Sequence, residues 1–141
     1  MDVAIIGARL RSEPEDSQLV NSLIDGLQRL YGRQLFVITT NTDRGIGKIV
    51  RNRCLDAHAR PLINLLDIAY KPYVDDLPKA KFAEKFLTKN YSIVAAAEEF
   101  HLFMDGDTRG YMVHLLNLIN DEGLPVSVYN LGEKTGPKLL R

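Results

Sequence analysis

The residues best equipped for chemistry lie in Phe103-Met104-Asp105-Gly106-Asp107-Thr108-Arg109-Gly110, where a hydrophobic run ends and an amphipathic one begins. Asp105 and Asp107 are carboxylates separated by a single residue. Such a pair can hold a sugar hydroxyl, ligate a metal ion or act as a general base. The plainer alternative is that Asp107 caps the following helix while Asp105 ends the strand with a backbone bond. Gly106, Thr108, Arg109 and Gly110 complete a turn that aims backbone N–H groups and the positive end of a helix at one point, which suits an anion such as phosphate. On this reading Asp105 contacts ligand and Asp107 or Thr108 caps. Arg109 and Gly110 sit in the first helical turn, where Gly110 lets a ligand approach the backbone closely.

Two other segments share this character. In Gly7-Ala8-Arg9, a guanidinium follows a tight turn and can grip a phosphate with two parallel bonds. The alternative there is a surface Arg at a strand exit. Thr39-Thr40-Asn41-Thr42-Asp43-Arg44-Gly45-Ile46-Gly47 ends a second strand and opens a helix. Phosphate cradling by Thr40, Asn41, Arg44, Gly45 and Gly47 competes at this turn with simple capping by Asp43. The glycine spacing is neither a P-loop nor a dinucleotide fingerprint, so ATPase or dehydrogenase activity has no support.

Other reactive side chains read more plainly. His58, His101 and His114 fall on separate elements without ligand spacing, and no metal is expected. His101 reads as a partly buried structural residue, whereas His114, one turn beyond Gly110, has either a ligand-facing or a structural role. Glu98 and Glu99 read as solvated, as do Lys79, Lys81, Lys85 and Lys89. Tyr70, Tyr73 and Tyr91 either stack on a base or pack on the outside. Cys54 reads as a small core residue.

Alternating apolar elements must hold these turns. Val3 to Ala8, Leu35 to Thr39, Leu62 to Leu66, Phe100 to Met104 and Pro125 to Tyr129 read as strands. Ser12-Glu13-Pro14-Glu15 matches a capping box. Leu19, Val20, Leu23, Ile24, Leu27, Leu30 and Tyr31 follow it at helical spacing, up to Gly32. Ile46, Ile49, Val50 and Cys54 mark the second helix. Phe82, Phe86 and Leu87 start the third, which Tyr91, Ile93 and Val94 extend or follow, and Met112, Leu115, Leu116 and Ile119 line the fourth, which ends at Gly123. Strands alternating with helices predict an α/β fold, a Rossmann-like doubly wound parallel sheet of about five strands in the order 3-2-1-4-5. Ligands bind such sheets outside the carboxyl ends of the strands, where the order reverses. The expected organisation is one domain over 1–130, followed by a polar, partly disordered tail over 131–141.

Composition narrows the function classes. At 141 residues with 45% hydrophobic content, the chain suits one globular domain with a real core. Its 18 basic and 18 acidic residues cancel, so no global field draws it to nucleic acid or an anionic membrane. No apolar run approaches the ~20 residues of a membrane span, and neither a signal peptide nor an internal repeat is visible. The lone Cys54 cannot form an internal disulfide, which points to a cytoplasmic protein.

Gly7-Ala8-Arg9, Lys89-Asn90 and the Phe103 to Gly110 segment together resemble the small Rossmann-like proteins of the SLOG superfamily, over roughly Val3 to Tyr129. That group includes YspA-like and YpsA-like proteins, the DNA-processing protein DprA and the LOG phosphoribohydrolases. The resemblance implies a pocket for a nucleotide or nucleotide-derived ligand. LOG enzymes carry Pro-Gly-Gly-x-Gly-Thr-x-x-Glu after the fourth strand, with the Glu in catalysis. Matched at Gly110, this chain has Tyr111 for the Thr and His114 for the Glu. Thr39-Thr40-Asn41-Thr42 likewise stand where the family has glycines.

The expected function is therefore ligand binding, as a sensor or sequestering module that leaves the nucleotide intact. One alternative is an enzyme cleaving or transferring an N-glycosidic or phosphate bond with Asp105 or Asp107. A second is DprA-like nucleic-acid binding, which the neutral charge disfavours. No cofactor beyond the nucleotide is expected, and pairing through exposed helices would make a homo-oligomer.

Overall fold

Along β1 (Asp2–Gly7), successive side chains pass to opposite faces of the sheet, and both faces are buried. Val3 and Ile5 join one core, whereas Ala4 and Ile6 join the other. A strand buried on both sides belongs at the centre of a helix-covered parallel sheet, and β1 occupies that position. The computed structural model describes residues 1–7, 14–40, 45–56, 63–68, 79–104, 110–131 and 138–140, with the backbone alone for 67, 68, 79–87 and 138–140.

The elements follow as α1 (Pro14–Tyr31), a 3-10 turn (Gly32–Gln34), β2 (Phe36–Thr40), α2 (Ile46–Cys54), β3 (Asn64–Ile68), α3 (Lys79–Ala96), β4 (Glu99–Met104), α4 (Tyr111–Asp121), β5 (Val126–Asn130) and β6 (Lys138–Leu140). The sheet order is β3-β2-β1-β4-β5-β6. Its first five strands are parallel, in the doubly wound order 3-2-1-4-5 that the alternating pattern predicts. The sixth pairs antiparallel with β5, from Val126↔Leu140 to Val128↔Lys138. It corrects the expectation that 131–141 is only a polar tail. Leu131 is also buried, and its N–H donates to the Met104 carbonyl at 2.7 Å.

Helices α1 and α2 cover one face of the sheet. Val20, Ile24 and Leu27 of α1 and Ile46, Val50 and Cys54 of α2 pack there on Val3, Ile5, Val37 and Phe103. The apolar stripe of α1 is narrower than its spacing suggests, since Leu19 and Leu30 are exposed. On the other face, Ile93 of α3 and Leu115 and Ile119 of α4 pack on Ala4, Ile6, Ile38, Phe100 and Leu102. The winding therefore reverses between β1 and β4, and helices leave the carboxyl edge toward both faces. No helix among the described residues is long and apolar enough to cross a membrane.

Candidate functional site at the carboxyl edge

Gly7 ends β1 at the reversal and pairs with Phe103 of β4. A β-carbon on Gly7 would lie 2.7 Å from Cγ1 and 2.8 Å from Cβ of Ile46, and 2.8 Å from Cβ of Phe103. Real β-carbons do not approach that closely, so glycine is what allows the first turn of α2 to rest on the end of β1. Gly45, Ile46 and Gly47 are all buried there. Gly45 is the N-cap residue of α2, at φ 77 and ψ −158, with no side-chain cap.

The start of α4 differs. Gly110 is its N-cap residue, at φ 62 and ψ −96, and it is exposed. It stands just before the helix, which corrects its expected place in the first turn. Helix geometry leaves the first N–H groups of α2 and α4 without intrahelical partners, and the helix dipole adds positive potential at both ends. The two ends flank the reversal from opposite faces, one packed into protein and the other open.

The strand ends complete the edge. Among the described residues, β1 pairs with β2 only as far as Ala4↔Ile38, but with β4 as far as Gly7↔Phe103. Where the first ladder stops, the buried Thr39 hydroxyl donates to the Ile5 carbonyl at 2.8 Å. That proton serves the gap between the strands and is not offered to a ligand. Thr40 is buried beside it. Of the sequence-derived site, Gly7, Thr40, Gly45, Gly47 and Gly110 thus share this edge of the sheet. Ala8, Arg9, Asn41, Asp43, Arg44, Asp105, Gly106, Asp107, Thr108 and Arg109 lie outside the described residues, as do His58, Tyr70 and Tyr73.

Asn90, from α3, is buried and fastens the start of α4. Its Nδ2 donates to the Tyr111 carbonyl at 2.7 Å and lies 3.0 Å from Nδ1 of His114. An amide nitrogen has two protons, so both bonds can form, provided His114 Nδ1 accepts and its proton sits on Nε2. The His114 ring also meets Tyr91 edge-on, with centroids 5.7 Å apart. These contacts give His114 a structural role at the start of α4. Asn90→Ala would remove the amide bonds to His114 Nδ1 and to the Tyr111 carbonyl. A loss of about 1–3 kcal/mol in denaturant unfolding is expected, and a loss within error would show that water replaces the amide.

A second polar cluster joins α1, β4 and β5. Glu99 is half-buried, which corrects its expected solvation. Its Oε1 accepts from the Tyr31 hydroxyl at 2.7 Å, and its Oε2 lies 2.7 Å from Nε2 of His101. His101 is buried as expected, with Nδ1 2.9 Å from the Tyr129 hydroxyl. The donor pattern assigns the imidazole proton to Nε2, leaving Nδ1 to accept from Tyr129. Burial pushes the His101 pKa down, against the upward pull of Glu99. The bond to Glu99 raises Tyr31 to about 12, and burial raises Tyr129 to about 12. Tyr129 also stacks on Phe103 at 4.4 Å, with the rings 8° from parallel. The cluster thus runs from the end of α1 to the carboxyl edge beside Gly7.

Lys89 is half-buried rather than fully solvated, Tyr91 is 58% exposed, and Cys54 is a buried thiol in the core. No group of His, Cys, Asp and Glu among the described residues could hold a metal ion. Comparison with family models, with curated proteins and with solved structures found no match for the chain.

Proposed function

We propose that this protein binds a nucleotide or nucleotide-derived ligand at the carboxyl edge of the sheet and acts as a sensor or sequestering module. One observation carries the reading: the start of α2 rests on Gly7 at the reversal, while the exposed start of α4 at Gly110 flanks it from the other face. Two helix ends beside one topological reversal favour a phosphate-bearing ligand. The resemblance of Gly7-Ala8-Arg9 and the Phe103 to Gly110 segment to SLOG proteins supports the same ligand class. Arg9 stands two residues after Gly7 in the chain, where its fork-shaped guanidinium suits a phosphate. The single buried Cys54 suits a reducing compartment, and the reading assigns the protein to the cytoplasm.

Calorimetry against a panel of nucleotides and ADP-ribose derivatives tests the proposal. Saturable binding by at least one member is expected. Arg9→Ala should weaken it roughly 10- to 100-fold, the worth of about 1.5–3 kcal/mol for a charge-assisted bond. Absence of binding at millimolar ligand overturns the proposal. Release of free base or phosphate from the same panel, lost in Asp105→Asn, would instead make the protein an enzyme.

A further inference from the structure

Helix α1 carries two apolar stripes, and the core uses only one of them. Val20, Ile24 and Leu27 are buried against the sheet. Leu19, Leu23, Gly26 and Leu30 follow one another at steps of four, three and four residues. At about 3.6 residues per turn, that spacing makes a second stripe along the flank of the first. Leu30 is 69% exposed, Leu19 is 45% exposed and Leu23 is half-buried. The stripe faces away from α2, which is tied to the opposite flank of α1. There Nη2 of Arg53 donates to Asp25 Oδ1 at 2.8 Å and to Gln28 Oε1 at 3.1 Å. Helices α3 and α4 pack on the other face of the sheet, so neither reaches these leucines.

We infer that the outer stripe of α1 is a dimer interface, on which a second copy of this chain lays its own α1 antiparallel. Gly26 is the clearest sign. Nothing lies within 4 Å of where its β-carbon would stand, so the single chain has room for alanine, the better helix former. Glycine leaves instead a notch that a leucine from a facing helix can fill. The stripe is also its own complement when turned end for end. With the helices antiparallel, Leu19 of one copy comes level with Leu30 of the other, and Leu23 meets Gly26. A two-fold interface between identical chains requires that self-complementarity. The charges run the same way: exposed Glu15 opens the helix, and exposed Arg29 and Arg33 stand at and just beyond its end. Antiparallel pairing brings the acidic end of each copy to the basic end of the other, whereas parallel pairing sets like charges together. Exposed charges of this kind fix orientation more than affinity, so the leucines and the notch carry the binding.

Sedimentation of the intact protein from micromolar to millimolar concentration tests the interface. A concentration-dependent rise to twice the mass of one chain is expected. Leu30→Glu should weaken the dimer at least roughly 10-fold, with an unchanged circular dichroism spectrum because the side chain is already exposed. Gly26→Ala separates the interface from the fold. Its monomer, at low concentration, should unfold at the wild-type temperature or above it, while dimerisation weakens. Mixed Leu19→Cys and Leu30→Cys variants should cross-link with each other under mild oxidation more readily than either does with itself. A wild type that stays monomeric throughout overturns the proposal and leaves the stripe to a different protein. So does a dimer unchanged by both Leu30→Glu and Gly26→Ala, or one in which each cysteine variant links to itself as readily as to the other.

Discussion

Phe103→Ala is expected to cost about 3–5 kcal/mol of folding free energy, the range for truncating a fully buried aromatic ring. Phe103 has no solvent exposure and joins the core beneath α1 and α2. It also stacks face to face on Tyr129 and pairs with Gly7, so the void would open at the junction of β1, β4 and β5. Against a total stability of about 5–15 kcal/mol, such a loss is a large fraction. Equilibrium unfolding in urea should show a lower midpoint with an unchanged slope. Phe103→Leu, which refills part of the volume without the stack, should lose less. A loss below about 1 kcal/mol for the alanine variant would mean that the ring is not the keystone its burial implies.

Gly7→Ala is the second large effect, and it arises from crowding rather than a void. The new methyl would meet Ile46 and Phe103 at 2.7–2.8 Å, mostly at their β-carbons. Those atoms ride on the backbone, so relief requires α2 or β4 to shift. Overpacking of this kind costs about 1–3 kcal/mol. At roughly 4 °C per kcal/mol for a chain of this size, Tm should fall by roughly 4–12 °C. The same shift would displace the buried start of α2, so ligand affinity should fall even below the unfolding temperature. A variant that keeps both Tm and affinity would show that the contact at Gly7 is not tight.

The sheet order was readable because each strand is a short apolar run separated by a helical stripe or a breaker. Strand ends were less so. The third strand runs Asn64–Ile68 rather than Leu62 to Leu66, since backbone pairing with β2 sets its limits. β6 escaped notice because it is three residues long and adds to an edge already built. Glu99 reads as a solvated residue before the strand, whereas it is the half-buried first residue of β4. Alternation in Glu99-Phe100-His101-Leu102-Phe103 puts Glu99, His101 and Phe103 on one face, and that signal was available. Its partners were not, because Tyr129 lies 28 positions from His101 and Tyr31 lies 68 from Glu99. Sequence spacing carries no information about such pairs. Gly7, Gly45 and Gly110 were legible as turn glycines, but only the packing distinguishes the closed start of α2 from the open start of α4.

Backbone amide chemical shifts, followed as a nucleotide panel is titrated in, test the central claim most directly. The account predicts saturable shifts concentrated at Gly7, Thr40, Gly45 to Gly47 and Gly110 to Tyr111, and little change at the amino edge around Met1 and Phe36. Shifts confined to the helix faces or the amino edge, or none at millimolar ligand, would contradict it.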